Sequence, residues 1–192
     1  MKTYQFKDLT IELLDEPTYN FGSSNNNFNY SKHYFGDNAI DYCSSKHGIK
    51  IYKDFQIIDS CIIIGSGGVT CIHQNSSLID KEQFLVCCGD TIFCVSLSNL
   101  ELKWKTKADQ ATCFKILQQR EDYIVHGELQ ISKLDKNGKI RWEFGGEDIF
   151  VCIDSDEEFK IENDGILLTD LSKTKYKIDF DGNLIALNNM GS

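Results

Sequence analysis

The sequence predicts an all-β fold, an array of short antiparallel hairpins preceded by an irregular N-terminal segment. From residue 47 onward, short runs rich in β-branched and aromatic residues are bounded by Gly, Asp, Asn or Ser, as is typical of strands. The single proline is Pro17, so no later strand loses a ladder hydrogen bond to proline. No window of a dozen residues keeps the i, i+3, i+4 apolar spacing of an amphipathic helix.

Residues 1–40 differ in composition from the rest of the chain. The stretch 20–30 is rich in Asn, Ser and Gly, which favour turns and irregular backbone. Residues 6–14 are compatible with a strand or with a short helix that ends at Pro17. We therefore expect residues 1–40 to form a strand and a long loop that pack on a β-domain of residues 41–192, together one domain.

Three segments share a pattern of strand, tight turn and strand, namely 93–104, 131–142 and 175–185. In the second, Gly138 is free to adopt a positive φ in the turn. Trp104 and Trp142 lie 38 residues apart, and Gly138 and Gly182 lie 44 apart. Periods near 40 residues that carry several strands are typical of propeller blades.

These hairpins resemble blades of the PQQ-type β-propeller family, in which a leucine-aspartate turn, a glycine and a tryptophan recur in that order. The resemblance covers about residues 80–187 and implies architecture without implying PQQ binding. A closed propeller has typically 4–8 blades, whereas three hairpins are clear here, with room for one or two more in residues 40–80. We therefore expect a small or incomplete β-propeller-like array, with the N-terminal segment covering an exposed sheet edge.

Two further segments have alternative interpretations. In residues 109–120 the apolar positions Ala111, Cys113 and Leu117 alternate as in a strand, although a helical turn is compatible with the segment. The glycine-rich loop 65–70 lacks the G-K-[ST] of a P-loop, which favours a turn or bulge over an anion-binding nest. The residues that follow it, 70–73, have the composition of a strand.

The sequence shows no catalytic, metal or cofactor-binding constellation. The four histidines have no metal-type spacing, and the eight cysteines include no C-x-x-C pair. Cys87 and Cys88 are adjacent, so on a strand they point to opposite faces and do not share a tetrahedral zinc. We expect free, mostly buried thiols and no enzymatic activity; the alternative is a hydrolytic site built from the glycine-rich loop, Cys71 and His73.

Composition excludes several classes of partner. The chain of 192 residues has 20 Lys and Arg against 29 Asp and Glu, a net charge of −9, which argues against direct binding to nucleic acid or to an anionic membrane. Its start lacks an apolar signal region, and apolar runs such as 61–64 are far shorter than the roughly 18 residues of a membrane span. We therefore expect a cytoplasmic protein.

The negative charge is concentrated in residues 147–170. This segment has nine acidic residues against one basic residue, Lys160, a local balance of −8, which leaves the rest of the chain at −1. One interpretation is an electrostatic docking surface for a basic partner. The other is a solvated loop that keeps the protein soluble.

The run 123–142 and the acidic stretch after it resemble bacterial immunity proteins of polymorphic toxin systems, such as contact-dependent growth inhibition. The resemblance implies a non-enzymatic inhibitor, a monomer or a heterodimer with its toxin, that covers the active site of a cognate basic toxin. The toxin is then a nuclease, in the narrowest form an EndoU-type ribonuclease. The alternative is a cytoplasmic propeller-type module that binds another protein or a small ligand.

An acidic interface of this kind predicts specific contact residues. The expected acidic contacts are Glu147, Asp148, Asp154, Asp156, Glu157 and Glu158. Trp142 or Tyr123 is the expected aromatic anchor, because buried aromatic side chains dominate the energetics of many interfaces.

Overall fold

The computed structural model describes residues 1–151 and 158–189, and these form four β-sheets. This confirms the predicted all-β, propeller-like array. The described residues contain no helix, and hence none that is long and apolar enough to cross a bilayer.

The strands follow one another along the four sheets almost in chain order. Sheet I has the order β1-β2-β4-β5-β3, with β1 (Lys2–Phe6), β2 (Leu9–Asp15), β3 (Lys32–Phe35), β4 (Ser45–Lys53) and β5 (Gln56–Gly65). Sheet II contains β6 (Ser77–Asp80), β7 (Gln83–Cys88), β8 (Thr91–Ser96) and β9 (Leu102–Lys107). Sheet III contains β10 (Cys113–Gln119), β11 (Asp122–Gly127), β12 (Gln130–Leu134) and β13 (Ile140–Gly145). Sheet IV contains β14 (Phe159–Ile161), β15 (Ile166–Thr169), β16 (Thr174–Ile178) and β17 (Leu184–Asn189).

The sheets pack face to face in chain order, and a separate apolar cluster fills each of the three gaps. In the part of the chain that the structure describes, no such cluster joins sheet IV to sheet I, so the array is open. Sheets II and III are covered on both faces, which is why their central strands are continuous apolar runs. Cys87 packs toward sheet III and Cys88 toward sheet I, as the strand alternation predicts.

Five of the cysteine thiols are buried and free, namely Cys61, Cys87, Cys88, Cys94 and Cys113. Burial raises the pKa of the Cys94 thiol to about 12, which keeps it protonated and unreactive. Cys43 and Cys71 are free and exposed. Cys152 lies outside the described residues.

An aromatic side chain on the outer strand of each of the first three sheets docks on a hairpin turn of the next sheet. The Trp104 indole Nε1 donates to the Lys136 carbonyl at 3.1 Å, and its ring lies against Gly138. The Trp142 indole makes the same contact with the Phe180 carbonyl at 3.1 Å, over Gly182. The recurring glycine and tryptophan of the sequence are thus the two halves of one contact between successive sheets.

Tyr34 has the equivalent role between sheets I and II. Its hydroxyl donates to the Leu100 carbonyl at 2.9 Å and accepts the Leu102 amide at 3.2 Å. Each two successive sheets are therefore joined by an aromatic ring whose polar atom, a Tyr hydroxyl or a Trp Nε1, hydrogen-bonds the turn of the next sheet.

The last hairpins of sheets II, III and IV each have a register shift, and in sheets II and III this shift turns the docking tryptophan toward the next sheet. In sheet II, Leu102 lies opposite Val95 and Trp104 lies opposite Cys94, with one extra residue between them. Because a one-residue shift moves side chains to the other face, Leu102 packs toward sheet I and Trp104 toward sheet III.

The same shift in sheet IV places Ala186 at the tryptophan position, opposite Lys177. The cross-strand row that reads Leu78, Leu85, Cys94, Trp104 in sheet II reads Lys160, Leu167, Lys177, Ala186 in sheet IV. The outer face of sheet IV is accordingly more polar than the faces that another sheet covers.

The N-terminal region belongs to sheet I and also covers it. Of the two interpretations of residues 6–14, the strand is correct, because β1 and β2 form a hairpin that pairs with β4. Tyr19, Tyr30 and Ala39 from the irregular segment pack on Ile62 and Ile64 of β5. The segment thereby removes the outer apolar face of sheet I from water.

Two local predictions have opposite outcomes. Residues 113–119 form strand β10, which resolves the ambiguity of that segment in favour of a strand. The predicted strand at 70–73 is wrong, because these residues form an irregular connection. There the Thr70 amide donates to the Ser45 hydroxyl instead of to a neighbouring strand, and the Thr70 hydroxyl donates to the Cys113 carbonyl.

The docking contact predicts a specific cost for adding one methyl group at Gly138. Gly138 and Gly22 have nearly the same φ, +78° and +80°, but only the Gly138 Cβ position meets the Trp104 ring, while the Gly22 position is open. We expect Gly22→Ala to lower the free energy of unfolding by about 1 kcal/mol from backbone strain alone. Gly138→Ala should lower it by about 2–4 kcal/mol, because steric overlap adds to the same strain. Urea unfolding measures both free energies. Equal losses in the two variants would show that docking of the Trp104 indole does not require a glycine at position 138.

Candidate functional site

The loops of the four sheets lie at two opposite ends. We call one the linker end; it contains the connections between sheets and the intervening turns, residues 36–44, 65–76, 89–90, 107–112, 127–129, 146–151 and 170–173. The other, the turn end, contains the remaining hairpin turns, including the two docked glycines. The glycine-rich loop and the described start of the acidic segment both lie at the linker end.

Hydrogen bonds between neighbouring loops hold the linker end together. Backbone bonds of 2.7–2.8 Å run from Asp90 to Ser66, Cys113 to Gly89, Glu128 to Thr112, Phe150 to Glu128, and Leu171 to Ile149. They connect all four sheets, so this end is a pre-organised surface rather than a set of independent loops.

Asp109 is the buried centre of this network. Its carboxylate accepts the amides of Ala111, Thr112, Leu129 and Gln130 at 2.6–3.0 Å. Burial raises the pKa of Asp109, and the four amide donors oppose that rise. The side chain therefore ties the sheet II–III connection to the β11/β12 turn and is not available to a ligand.

Exposed apolar side chains lie on the linker end. Ile40, Tyr42 and Val69 are 79%, 76% and 67% exposed, and Leu129 and Leu171 are also exposed. The Ser44 hydroxyl bonds the Gly68 carbonyl at 2.8 Å, which brings the segment of Tyr42 beside the loop of Val69. Exposed apolar groups that share one surface are typical of an interaction site, although the described residues also expose Phe55, Ile57, Ile58, Leu184 and Ile185 toward the turn end.

Acidic residues without a basic partner accompany these apolar groups. Within the described residues, Asp41, Glu128, Glu147 and Asp148 make no ion pair. At the turn end, the pairs Lys7–Glu82, Lys53–Asp8, Lys136–Asp80 and Arg141–Asp135 have N–O distances of 2.5–3.0 Å. Unpaired acids are not confined to the linker end, however, since five turn-end acids also make no ion pair within the described residues, namely Asp54, Glu101, Glu121, Asp179 and Asp181.

Three of the six predicted acidic contacts lie within the described residues, and their environments differ. Glu147 is exposed and Asp148 partly exposed, both at the linker end. Asp154, Asp156 and Glu157 lie outside the described residues. Glu158 is buried, and although burial alone would raise its pKa, the Lys115 ammonium at 2.5 Å holds that pKa below its ordinary value. The prediction that Glu158 presents a free charge to a partner is wrong, because Lys115 neutralises it inside the protein.

Other acids of residues 147–170 are also compensated locally. Glu162 and Asp164 lie beside Lys177, with N–O distances of 3.8 and 2.8 Å. Asp170 is buried and accepts the Thr174 amide and the Tyr176 hydroxyl. The charge count of the sequence therefore overstates the negative surface of the described part of this segment.

The aromatic anchors have structural roles. Tyr123 is fully buried between sheets II and III, and its hydroxyl donates to Asp80 at 2.6 Å. Its prediction as an anchor is wrong, because the ring is inaccessible to a partner. Trp142 is half-buried and docks on sheet IV, so the contact between sheets accounts for it, and its contact with a partner stays a prediction. The sequence did not single out Tyr42 or Val69, since a lone exposed apolar residue carries no periodic signal.

A second polar cluster lies where sheets II, III and IV meet. The buried His126 donates from Nε2 to the Phe150 carbonyl at 3.0 Å and stacks on the Phe159 ring at 4.9 Å, while its Nδ1 has no partner among the described residues. The Nε2 of His73 donates a hydrogen bond to the Phe114 carbonyl, and its Nδ1 accepts one from the Asn75 amide. The backbone thus occupies both His73 nitrogens that a hydrolytic site would need.

Comparisons with known proteins show the fold alone. No protein-family model and no curated protein matches the chain. BamB from Moraxella catarrhalis, a PQQ-like propeller, is similar over 76% of this chain and 44% of its own, with 14% identity and a TM-score of 0.50. The computationally designed protein Ika8 is similar over 97% of this chain and 60% of its own, with 10% identity and a TM-score of 0.52. The chain spans about half the length of these two structures.

The burial of His126 predicts a measurable pH dependence. Burial, and next the nearby Lys115 charge, lower the pKa of His126 to about 4, whereas an unfolded histidine titrates near pH 6.5. The unfolded state therefore binds the proton first, so this contribution is complete above about pH 6.5 and is lost as the pH falls toward 4. We expect the loss to reach about 3 kcal/mol.

NMR titration of the imidazole shifts measures this pKa directly, with the histidine of a short peptide as reference. A His126 midpoint near 6.5 in the folded protein would contradict the assignment. In urea unfolding, His126→Gln should lose less stability than the unchanged protein between pH 6.5 and pH 4.

Proposed function

We propose that this protein is a non-enzymatic immunity protein that binds a cognate basic toxin and covers its active site with the linker end. The observation that supports the proposal is the combination of exposed apolar side chains with unpaired acids on one hydrogen-bonded surface. The described loops of this surface contain two lysines, of which Lys107 is bound to Asp90 at 3.2 Å and Lys173 is exposed without an ion pair among the described residues. A basic nuclease suits this charge, and an EndoU-type ribonuclease is the narrowest form of the proposal.

The two kinds of residue have different tasks in such a complex. Asp41 and Glu147 attract a positively charged cleft at long range and raise the association rate, an effect that salt screens. Tyr42 and Val69 become desolvated in the contact and slow dissociation. Because the loops are already held by Asp109 and the backbone bonds, little ordering entropy opposes binding.

Reversing two exposed charges tests the proposed surface. Asp41→Lys with Glu147→Lys replaces side chains that make no hydrogen bond among the described residues, so the fold should be kept. We expect association with the purified toxin domain to slow by about tenfold at low salt, with a weaker salt dependence, because electrostatic steering is lost. The matched control is Glu121→Lys with Asp181→Lys, an equal charge change at exposed residues of the turn end, which should have a much smaller effect.

The toxin for this measurement is identified by co-purification from the native host, and co-expression then measures protection of growth. An unchanged association rate and salt dependence in the Asp41 and Glu147 variant would show that the linker end is not the docking surface. A chain that binds its partner but gives no protection against it would overturn the immunity function.

A further inference from the structure

The β4/β5 hairpin turn displays an aromatic side chain for which the fold gives no packing reason. Phe55 is fully exposed, and Ile57 and Ile58 beside it are also exposed. Asp54 and Phe55 have φ values of +49° and +64°, in the left-handed region that favours glycine or asparagine in a two-residue turn. A phenylalanine at this position lowers stability, because its ring is exposed to water and its backbone conformation is strained. This suggests that Phe55 serves a purpose other than stabilising the fold.

Phe55 forms one wall of a groove of about 430 Å³ on sheet I. The lining combines two aromatic rings, three carboxylates and two hydroxyls, from Asp8, Thr10, Glu12, Tyr52, Asp54 and Phe55. No Lys or Arg belongs to this lining. The groove lies toward the turn end, so it is separate from the surface proposed for the toxin.

The charged groups around the groove leave part of its negative charge unpaired. Lys53, outside the lining, binds Asp8 at 2.8 Å. Glu12 accepts the Tyr52 hydroxyl at 2.7 Å and lies opposite Lys50 in the β2/β4 register. Asp54 makes no ion pair in the described residues. Burial, and next the bond to Glu12, raise the pKa of Tyr52 to about 12, so its ring stays a neutral phenol.

Aromatic faces beside carboxylates are the chemistry that recognises an organic cation. A contact between a cation and an aromatic ring already occurs beside sheet I, because the Lys50 ammonium of β4 lies 3.9 Å from the centre of the Phe28 ring in the irregular segment. A guanidinium suits the groove better than an ammonium, since it stacks its flat face on a ring while its in-plane N–H groups reach carboxylates. We propose that the groove binds an arginine side chain of a protein or peptide ligand, stacked on Phe55 or Tyr52 and hydrogen-bonded to Asp54 and Glu12.

The proposal does not depend on the toxin, and a blocked Gly-Arg-Gly peptide serves as the probe. Titrated into the full chain labelled with ¹⁵N, it should cause saturable amide shifts confined to the groove, residues 8–12 and 50–57. Matched peptides with Lys or Gln in the central position should bind more weakly, in that order. Ionic strength is held constant, because a surface contact of this kind is screened by salt.

Variants separate binding from folding. Asp54→Asn and Phe55→Gly should each weaken the peptide affinity by about threefold or more. Phe55→Gly also relieves the positive φ, so its melting temperature should not fall, and loss of binding is then not loss of structure. The control Asp181→Asn removes an exposed carboxylate from another hairpin turn and should leave the affinity unchanged.

Three results would each overturn the arginine site: no saturable shifts in the groove, equal binding of the Gln peptide, or unchanged affinity in both groove variants. None of them bears on the linker end, because the Asp41 and Glu147 variant is measured against the toxin. Likewise, if the Asp41 and Glu147 variant binds the toxin normally, the peptide titration is unaffected, because it reports only on residues of the groove.

Discussion

The contact between an aromatic ring and the hairpin turn of the next sheet is the constraint on which the structure depends. Each contact combines apolar burial, one hydrogen bond to a turn carbonyl and, beneath the two indoles, a glycine without a Cβ. The two indoles reach their turns because a one-residue register shift faces each of them away from the preceding sheet. Tyr34, Trp104 and Trp142 thereby add a directional contact to the apolar cluster between each two successive sheets.

This alignment has consequences at both ends of the sheets. Sheets held in sequence bring their connections side by side, so that Asp109 and the loop-to-loop bonds form a continuous surface at the linker end. At sheet I, the irregular segment covers one face, while the β4/β5 hairpin extends Phe55 into solvent. The linker-end surface therefore depends on the order of the sheets, whereas the groove at Phe55 is formed within sheet I alone.

Much of the architecture was predictable from the sequence, and much less of the candidate site. The hairpins around Gly138 and Gly182 were recognisable because turn residues and strand alternation are local signals. The acids were not assignable to a surface from their number. Glu147 is exposed, Glu158 is paired with Lys115, and Asp170 is buried under Tyr176. All three lie within 24 residues of one another in the chain, and their environments come from partners distant in sequence.

By itself, then, the sequence determined the all-β class, the spacing of the hairpins around Gly138 and Gly182, the opposite faces of Cys87 and Cys88, and the sign of the charge. Only the tertiary structure decided that Tyr123 is buried, that Trp142 is committed to sheet IV, that residues 70–73 leave the ladder, and that Phe55 is free. The physical reason is that a period of two tells which side chains share a face of a strand. Whether another sheet covers that face depends on the packing of segments that are remote along the chain.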